Sequence, residues 1–165
     1  TLQPFYEIHD ARYQMYFQTF SEAGFDAQKA TQRQQEAEAL ALEARTVDKV
    51  NCGEQQPEVD HLYKGEKSDS GYDEEGRFWR NTRSYISYQL QNKDLSGKSL
   101  EIHFSGNLKT ADVGILINDR PADILSMKDK VVVLKTDDKE TVNLRVVAEN
   151  GKPTPRFHQI RILKD

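Results

Sequence analysis

Apolar and polar residues alternate over short segments throughout the second half of the chain. In residues 85–90, Ile86, Tyr88 and Leu90 would lie on one face of a strand, with more polar residues on the other. This period of two, with polar turns and no helical period between segments, is typical of antiparallel sheets. The pattern predicts an antiparallel β-sandwich, with a jelly roll as the first choice of topology. Further strands are predicted at residues 100–104, 113–117, 122–127, 131–134, 142–148 and 157–163.

The first twenty residues show a similar alternation. Ala11, Tyr13, Met15 and Phe17 fall on one side of an extended chain, which predicts a half-buried strand; a helix is the competing interpretation. A lone strand needs partners, so we expect residues 1–20 to be the terminal strand of a preceding, truncated β-domain. Its exposed edge could then pair with a second copy, giving a dimer that truncation induces.

Residues 27–45 form a run of Ala, Gln, Glu, Lys and Leu with high helix propensity and no breaker. Asp26 is the predicted N-cap, and the apolar stripe, mostly Ala with Leu40, is thin. Such a helix bridges domains or lies on a surface, so residues 21–46 are predicted to be a linker helix. A coiled-coil interpretation stays open.

Periodicity fades between residues 46 and 79, where turn-forming residues are frequent. We expect a long irregular connection there, with a short strand near residues 59–63, inside a C-terminal sandwich domain that spans residues 47–165. Loops of this length in compact proteins are either functional or packed as structured segments.

Composition argues against two classes of partner. The chain has 23 Lys and Arg against 27 Asp and Glu, whereas a dedicated nucleic-acid-binding protein normally carries a basic face. No apolar run reaches the length of a membrane span. We therefore expect neither nucleic acid nor a membrane as a partner.

Cys52 is the single cysteine, so no internal disulfide can form.

Two blocks of sequence carry a family resemblance: PFYEIHDARYQMYF at residues 4–17 and ARTVDKVNCGEQQPEVDH at residues 44–61. Together with Gly71, residues 76–80 and the segment GILIND at 114–119, they resemble the C-terminal region of bacterial beta-L-arabinofuranosidase-type glycoside hydrolases. The resemblance extends over nearly the whole chain.

The resemblance implies a non-catalytic role for this chain. The similar enzymes carry catalysis in an upstream α/α barrel with a Glu and a zinc-bound Cys, and this chain resembles the part after that barrel. It would be an accessory sandwich of a secreted or periplasmic enzyme acting on arabinose-containing plant glycans, packing on and supporting the barrel. Zinc is expected in the missing barrel alone, because Cys52 lacks the neighbouring cysteines of a zinc–thiolate site. No catalytic residue is carried across.

Acidic residues between 54 and 74 raise two further hypotheses. Glu54, Glu58 and Asp60 could supply the paired carboxylates of a glycosidase, although carboxylates this close in a loop more often bind backbone N–H groups. A metal site is the second hypothesis. His61, Glu58 and Asp60 are residue types that bind metal ions, and Asp69, Asp73 and Glu74 could hold a structural calcium ion through their oxygen atoms. An acidic loop exposed to solvent is the simpler interpretation.

Carbohydrate binding is the alternative function that the residues favour most. Aromatic rings could stack on a sugar, and neighbouring Arg, Gln and His side chains could bind its hydroxyl groups. In the competing interpretation, Trp79 is a core residue that covers one end of the sandwich. The candidate sugar-binding residues are Trp79, Tyr72, Arg77, Arg80, His61 and Gln55, with Phe78, Tyr85 and Gln56 beside them.

Overall fold

The computed structural model describes residues 19, 21–105, 113–128 and 130–164. The predicted strand and its proposed dimer lie in residues 1–20 and therefore fall almost entirely outside the described residues. The chain divides into two compact units, Thr1–Ala41 and Leu42–Asp165. The second unit begins a few residues before the domain boundary that the sequence pattern placed at residue 47.

Helix α1 spans Glu22–Arg45, and none of its residues is buried. It begins earlier than predicted: the Ser21 hydroxyl oxygen accepts a hydrogen bond from the Gly24 N–H at 3.2 Å, so Ser21 rather than Asp26 caps the first turn. Along the helix, Gln32 donates to Glu36, four residues ahead, at 3.0 Å. The helix therefore relies on local propensity and side-chain pairs of this spacing rather than on a buried face.

The rest of the described chain is mainly β. Helix α2 is a short segment, Gln55–Asp60, and a 3-10 turn covers Lys93–Leu95. The strands are β1 Thr46–Asn51, β2 Lys64–Tyr72, β3 Phe78–Gln91, β4 Ser99–Phe104, β5 Val113–Ile117, β6 Arg120–Pro121, β7 Ile124–Lys128, β8 Val131–Lys135, β9 Thr141–Ala148 and β10 Phe157–Leu163.

All recorded strand pairings among the described residues are antiparallel. One half of the curled sheet has the order β1-β10-β4-β8-β7 and the other has β2-β3-β9-β5-β6; the register pair Phe157 and Arg80 joins them. From β3 to β5 and from β8 to β10, successive strands alternate between the two halves, as in a jelly roll. The predicted antiparallel sandwich after one long helix is confirmed.

The inward positions of the strands form one hydrophobic core. Ile86, Tyr88 and Leu90 of β3 are 0–2% exposed, as their alternation predicted. Leu100 and Ile102 of β4 are fully buried and belong to the same cluster. This shared core is what holds the two halves of the sheet together.

The predicted irregular connection between residues 46 and 79 is wrong. That region contains β1, α2 and β2, and β3 already begins at Phe78. The predicted strand at residues 59–63 is the end of α2 followed by a turn, where Leu62 has a φ of +49°. The sequence pattern does not predict β2, because its largely exposed sequence KGEKSDSGY has no alternation of apolar and polar residues. Its pairing with β3 supplies the order instead.

Candidate functional site

Gly53 brings the turn before α2 close to β3. Its φ is +90°, and a β-carbon there would lie 3.0 Å from the carbonyl oxygen of Trp79. Any side chain would therefore be strained and crowded against the strand. The Gly53 N–H donates to a Glu58 carboxylate oxygen at 2.8 Å. This charge-assisted hydrogen bond joins the turn to the helix.

Glu58 is the centre of a buried polar network and is 4% exposed. Arg80 donates to its two carboxylate oxygens, from Nε at 2.8 Å and from Nη2 at 2.6 Å. The Tyr88 hydroxyl donates to the same carboxylate at 2.9 Å. With the Gly53 N–H, the carboxylate accepts four hydrogen bonds, so its charge and lone pairs are compensated although water is excluded.

The groups around Glu58 keep fixed protonation states. Hydrogen bonding to Glu58 raises the pKa of Arg80. Burial, followed by the charges of its neighbours, raises the pKa of Tyr88 well above its usual value. Burial also raises the pKa of the Cys52 thiol far above its ordinary range. Cys52 therefore stays a protonated thiol, the form that is a poor nucleophile.

Arg80 is also held by an aromatic ring. Its guanidinium carbon lies 4.5 Å from the centroid of the Tyr63 ring, and the Tyr63 hydroxyl bonds that of Ser68. The Tyr63 and Tyr88 ring centroids are 5.5 Å apart. Arg80 is thus fixed by a carboxylate and by a ring face, which leaves it little capacity to bind a further ligand.

A largely apolar cavity of about 650 Å³ lies beside this network, and we name it the α2 groove. Two apolar side chains at its edge are unusually exposed, Val59 at 62% and Leu62 at 57%. Exposed apolar residues grouped at a cavity mark a surface suited to contact with another molecule. The groove is lined by Gly53, Gln55, Glu58, Val59, Leu62, Tyr63, Lys64 and Arg80.

His61 connects the end of α2 to β1 and is not among the residues that line the α2 groove. Its Nδ1 lies 2.6 Å from the Pro57 carbonyl oxygen and its Nε2 lies 3.0 Å from Asp48 Oδ1. Both partners are acceptors, so the arrangement favours the doubly protonated imidazolium. The hydrogen bond to Asp48 raises the pKa of His61, outweighing the opposing effect of burial.

Asp48 is the other half of this pair. Burial alone would raise the pKa of its carboxyl, but hydrogen bonds from His61 and from the Gln91 and Lys49 N–H groups outweigh burial and lower it. The Gln91 N–H donates at 2.6 Å. One carboxylate therefore connects β1, the end of α2 and the end of β3.

A second cavity, of about 720 Å³, opens beside the turn between β2 and β3, and we name it the hairpin groove. Tyr72 is 65% exposed there, and its ring centroid lies 4.3 Å from that of Phe78. The groove is mostly polar in residue type. It is lined by Tyr72, Asp73, Glu74, Glu75, Arg77, Ser105, Lys130, Lys152, Pro153, Pro155 and Arg156.

Asp73 organises the turn at the edge of the hairpin groove. Its carboxylate accepts hydrogen bonds from the N–H groups of Glu75 at 3.0 Å and Arg77 at 2.8 Å, and from Arg77 Nε at 2.8 Å. Hydrogen bonding to the Arg77 backbone is the main cause of the lowered pKa of Asp73. The carboxylate is used by its own turn, as in an Asx-type turn.

Trp79 is half-buried, which fits neither the core position nor the open sugar platform considered from the sequence. The Arg156 guanidinium covers it, with its carbon 4.1 Å from the ring centroid, and Gly71 lies against the ring. The indole N–H has no hydrogen-bond partner among the described residues. Tyr85 is similarly half-buried, with Arg145 5.3 Å above its ring.

The six predicted sugar-binding residues therefore do not form one site. Tyr72 and Arg77 line the hairpin groove, whereas Gln55 and Arg80 line the α2 groove. His61 pairs with Asp48. Sequence reasoning missed Arg156 and Lys130 in the hairpin groove, and no local signal could have found them, because they reach it from distant loops.

The acidic candidates are also separated by the fold. Glu58 is buried and paired, Asp60 accepts from Gln56 at 2.8 Å, and Glu54 precedes the first turn of α2. Among the residues that the structure describes, no three His, Cys, Asp or Glu side chains are grouped as a metal site would require.

Within the described part of the chain, no helix is both long and apolar enough to cross a bilayer.

A protein-family model described as a family of unknown function (DUF6805) matches residues 41–163. The match covers three quarters of the chain and includes every strand from β1 to β10. A search of curated proteins gave no match.

We expect Glu58→Gln to lower the free energy of unfolding by about 3–5 kcal/mol, because the half-buried Arg80 guanidinium loses its buried counter-charge. Denaturant unfolding at pH 7 measures the change. Glu43→Gln is the matched control, since Glu43 forms an exposed ion pair with Lys49, and a change below about 1 kcal/mol is expected there. Equal losses in the two variants would show that the Glu58 network is not a stabilising centre.

Stability should depend on pH through His61. Because its folded-state pKa is raised above the ordinary 6.5, its contribution is complete below pH 6.5 and is lost as pH rises through the folded-state pKa. Melting curves from pH 5.5 to 9 should show the wild type losing more stability than His61→Gln. The pKa values of His103 and His158 are lowered by burial. Both residues are present in the wild type and in His61→Gln, so their contributions to the pH dependence cancel in the comparison. Parallel pH profiles would contradict the charged pair.

Proposed function

Because the chain belongs to the DUF6805 family, whose function is unknown, we propose a function from its surface and from the sequence resemblance: a non-catalytic accessory jelly roll of a glycoside hydrolase. The domain would pack on the upstream catalytic barrel of a secreted or periplasmic enzyme that acts on arabinose-containing plant glycans. The observation that carries the proposal is the α2 groove, with Val59 and Leu62 exposed at its edge.

The state of the carboxylates supports a non-catalytic role. A glycosidase needs two carboxyl groups facing one substrate bond, one of them able to exchange a proton. Glu58 has its four hydrogen bonds inside the protein, and Asp73 is used by its turn. Neither is placed to attack or protonate a sugar.

The α2 groove has the properties of a docking surface. Its exposed apolar side chains, Val59 and Leu62, are aliphatic, whereas a sugar site normally presents an exposed aromatic face. The polar side chains Glu58 and Arg80 are already paired with each other, so covering the groove leaves neither of these two charges without a partner. Lys64 is exposed and can keep its charge in water at the rim of a contact. A largely apolar surface of this kind suits the face of a neighbouring domain, and the resemblance supplies the upstream barrel as the occupant.

The test is binding between this chain and the separately produced upstream region of the same protein. Calorimetry should give a saturable signal, and the double variant Val59→Asp/Leu62→Asp should weaken it by about tenfold or more, because charge replaces buried apolar contacts. Leu125→Asp is the matched control, since Leu125 is 58% exposed and does not line the α2 groove. Unchanged binding in the double variant, or an equal loss in the control, would overturn the proposal.

We propose carbohydrate binding as a second candidate, favoured by Tyr72 at the open hairpin groove. Its ring is 65% exposed and is supported from behind by Phe78. An exposed ring that is held in place can stack on a sugar without a large loss of side-chain entropy. The module would then hold polysaccharide near the active site.

Tyr72→Ala should abolish saturable binding of arabinose-containing oligosaccharides, because the stacking face is removed while the fold is kept. Calorimetry measures binding and the melting temperature reports the fold. Phe25→Ala is a suitable control, because Phe25 is a 53% exposed aromatic residue of α1. The second candidate fails if no sugar binds at millimolar concentration, or if both variants bind like the wild type.

A further inference from the structure

We propose that the hairpin groove binds an acidic glycan, with a uronate carboxylate on Arg156 and Lys130 and a sugar ring stacked on Tyr72. The inference deepens the second candidate function and rests on it. It differs from that candidate in requiring a negative charge on the sugar, which comes from the charges that line the groove.

Arg156 is a pre-positioned cation. Its side chain is exposed, and the central carbon of its guanidinium lies 4.1 Å from the centroid of the Trp79 ring. Its carbonyl oxygen accepts from the Ser105 N–H at 2.7 Å, which fixes the backbone as well. The described residues provide no carboxylate partner for it. A planar guanidinium held in this way can take a carboxylate with two parallel hydrogen bonds.

Lys130 adds a second cation to the same groove. Its side chain is exposed, and no ion pair to a described carboxylate involves it. Its backbone is fixed by the Phe104 N–H, which donates to the Lys130 carbonyl oxygen at 2.8 Å. Two cations at one cavity can share an anionic group that neither would hold well alone.

The charged residues that line the groove are three acidic ones, Asp73, Glu74 and Glu75, and four basic ones, Arg77, Lys130, Lys152 and Arg156. Arg77 pairs with Asp73 and with Glu75, each at 2.8 Å, so those three charges leave a single negative charge. Glu74, exposed at the turn, adds another and is an acceptor suited to sugar hydroxyl groups. With four positive and three negative charges, the lining keeps a net charge of +1 beside one exposed ring and several carboxylate acceptors, although the whole chain carries a net charge of −4.

This combination fits a glycan better than another polyanion. A nucleic acid needs an extended basic surface, and an acidic peptide would use the cations but not the exposed ring and the hydroxyl acceptors. A uronate residue uses all three, because it carries a carboxylate, hydroxyl groups and an apolar ring face.

Calorimetry with tetragalacturonate, at low and at moderate salt, tests the inference. Arg156→Gln should weaken binding by about tenfold, because a charge-assisted bidentate contact is lost, and Lys130→Gln should weaken it to a smaller extent. Arg145→Gln is the matched control: Arg145 also lies over an aromatic ring, that of Tyr85, but does not line the hairpin groove. It should bind like the wild type.

Three further probes separate the possible outcomes. Methyl-esterified tetragalacturonate should bind at least about tenfold more weakly, because its carboxyl groups carry no charge. Equal binding of the ester, or of neutral arabinose oligosaccharides, would overturn the requirement for acid and leave carbohydrate binding intact. Equal binding of tetraglutamate would show recognition of charge alone and overturn the inference. Failure of every sugar to bind would remove the inference and the second candidate together.

Discussion

The ion pair between the buried carboxylate of Glu58 and the half-buried guanidinium of Arg80 is the interaction on which the described surface depends. It connects α2 to β3, the strand that belongs to one half of the sheet and contacts the other through Phe157. A buried charge is tolerated only when it is fully paired. Gly53 and Tyr88 supply the remaining partners of the carboxylate. The position of α2, and with it the α2 groove, follows from satisfying this one carboxylate.

The length of β3 explains why two grooves exist. The strand runs from Phe78 to Gln91, and its first part pairs with β2 while its second part pairs with β9. The pairing with β2 carries Tyr72 and the turn at Asp73 to the hairpin groove. Arg80, two residues after Phe78, reaches α2 instead. One extended strand thus supplies Arg80 to the α2 groove and, through its pairing with β2, positions the turn that lines the hairpin groove.

Sequence reasoning was reliable where side-chain burial follows a local period. The alternation at residues 85–90 predicted a strand, and Ile86, Tyr88 and Leu90 are indeed in the core. It failed for β2, whose residues gain order from pairing with β3 and not from a buried face. It also placed Trp79 either in the core or on an open face, because periodicity carries no information about the Arg156 side chain that covers the ring.

The order of apolar and polar residues was enough to specify a mainly β domain preceded by a long helix, because helix propensity and strand alternation are properties of neighbouring residues. The partners of charged groups are not determined by neighbouring residues. Glu58 and Arg80 are 22 positions apart and Asp48 and His61 are 13 apart, and the sequence offers each several equivalent counter-charges. The folded chain selects among them by distance and burial. In the tertiary structure, Glu58 and Arg80, which the sequence offered as candidate ligand-binding residues, instead bind each other. The fold also brings Arg156 and Lys130 to the hairpin groove, a site that no local sequence pattern predicts.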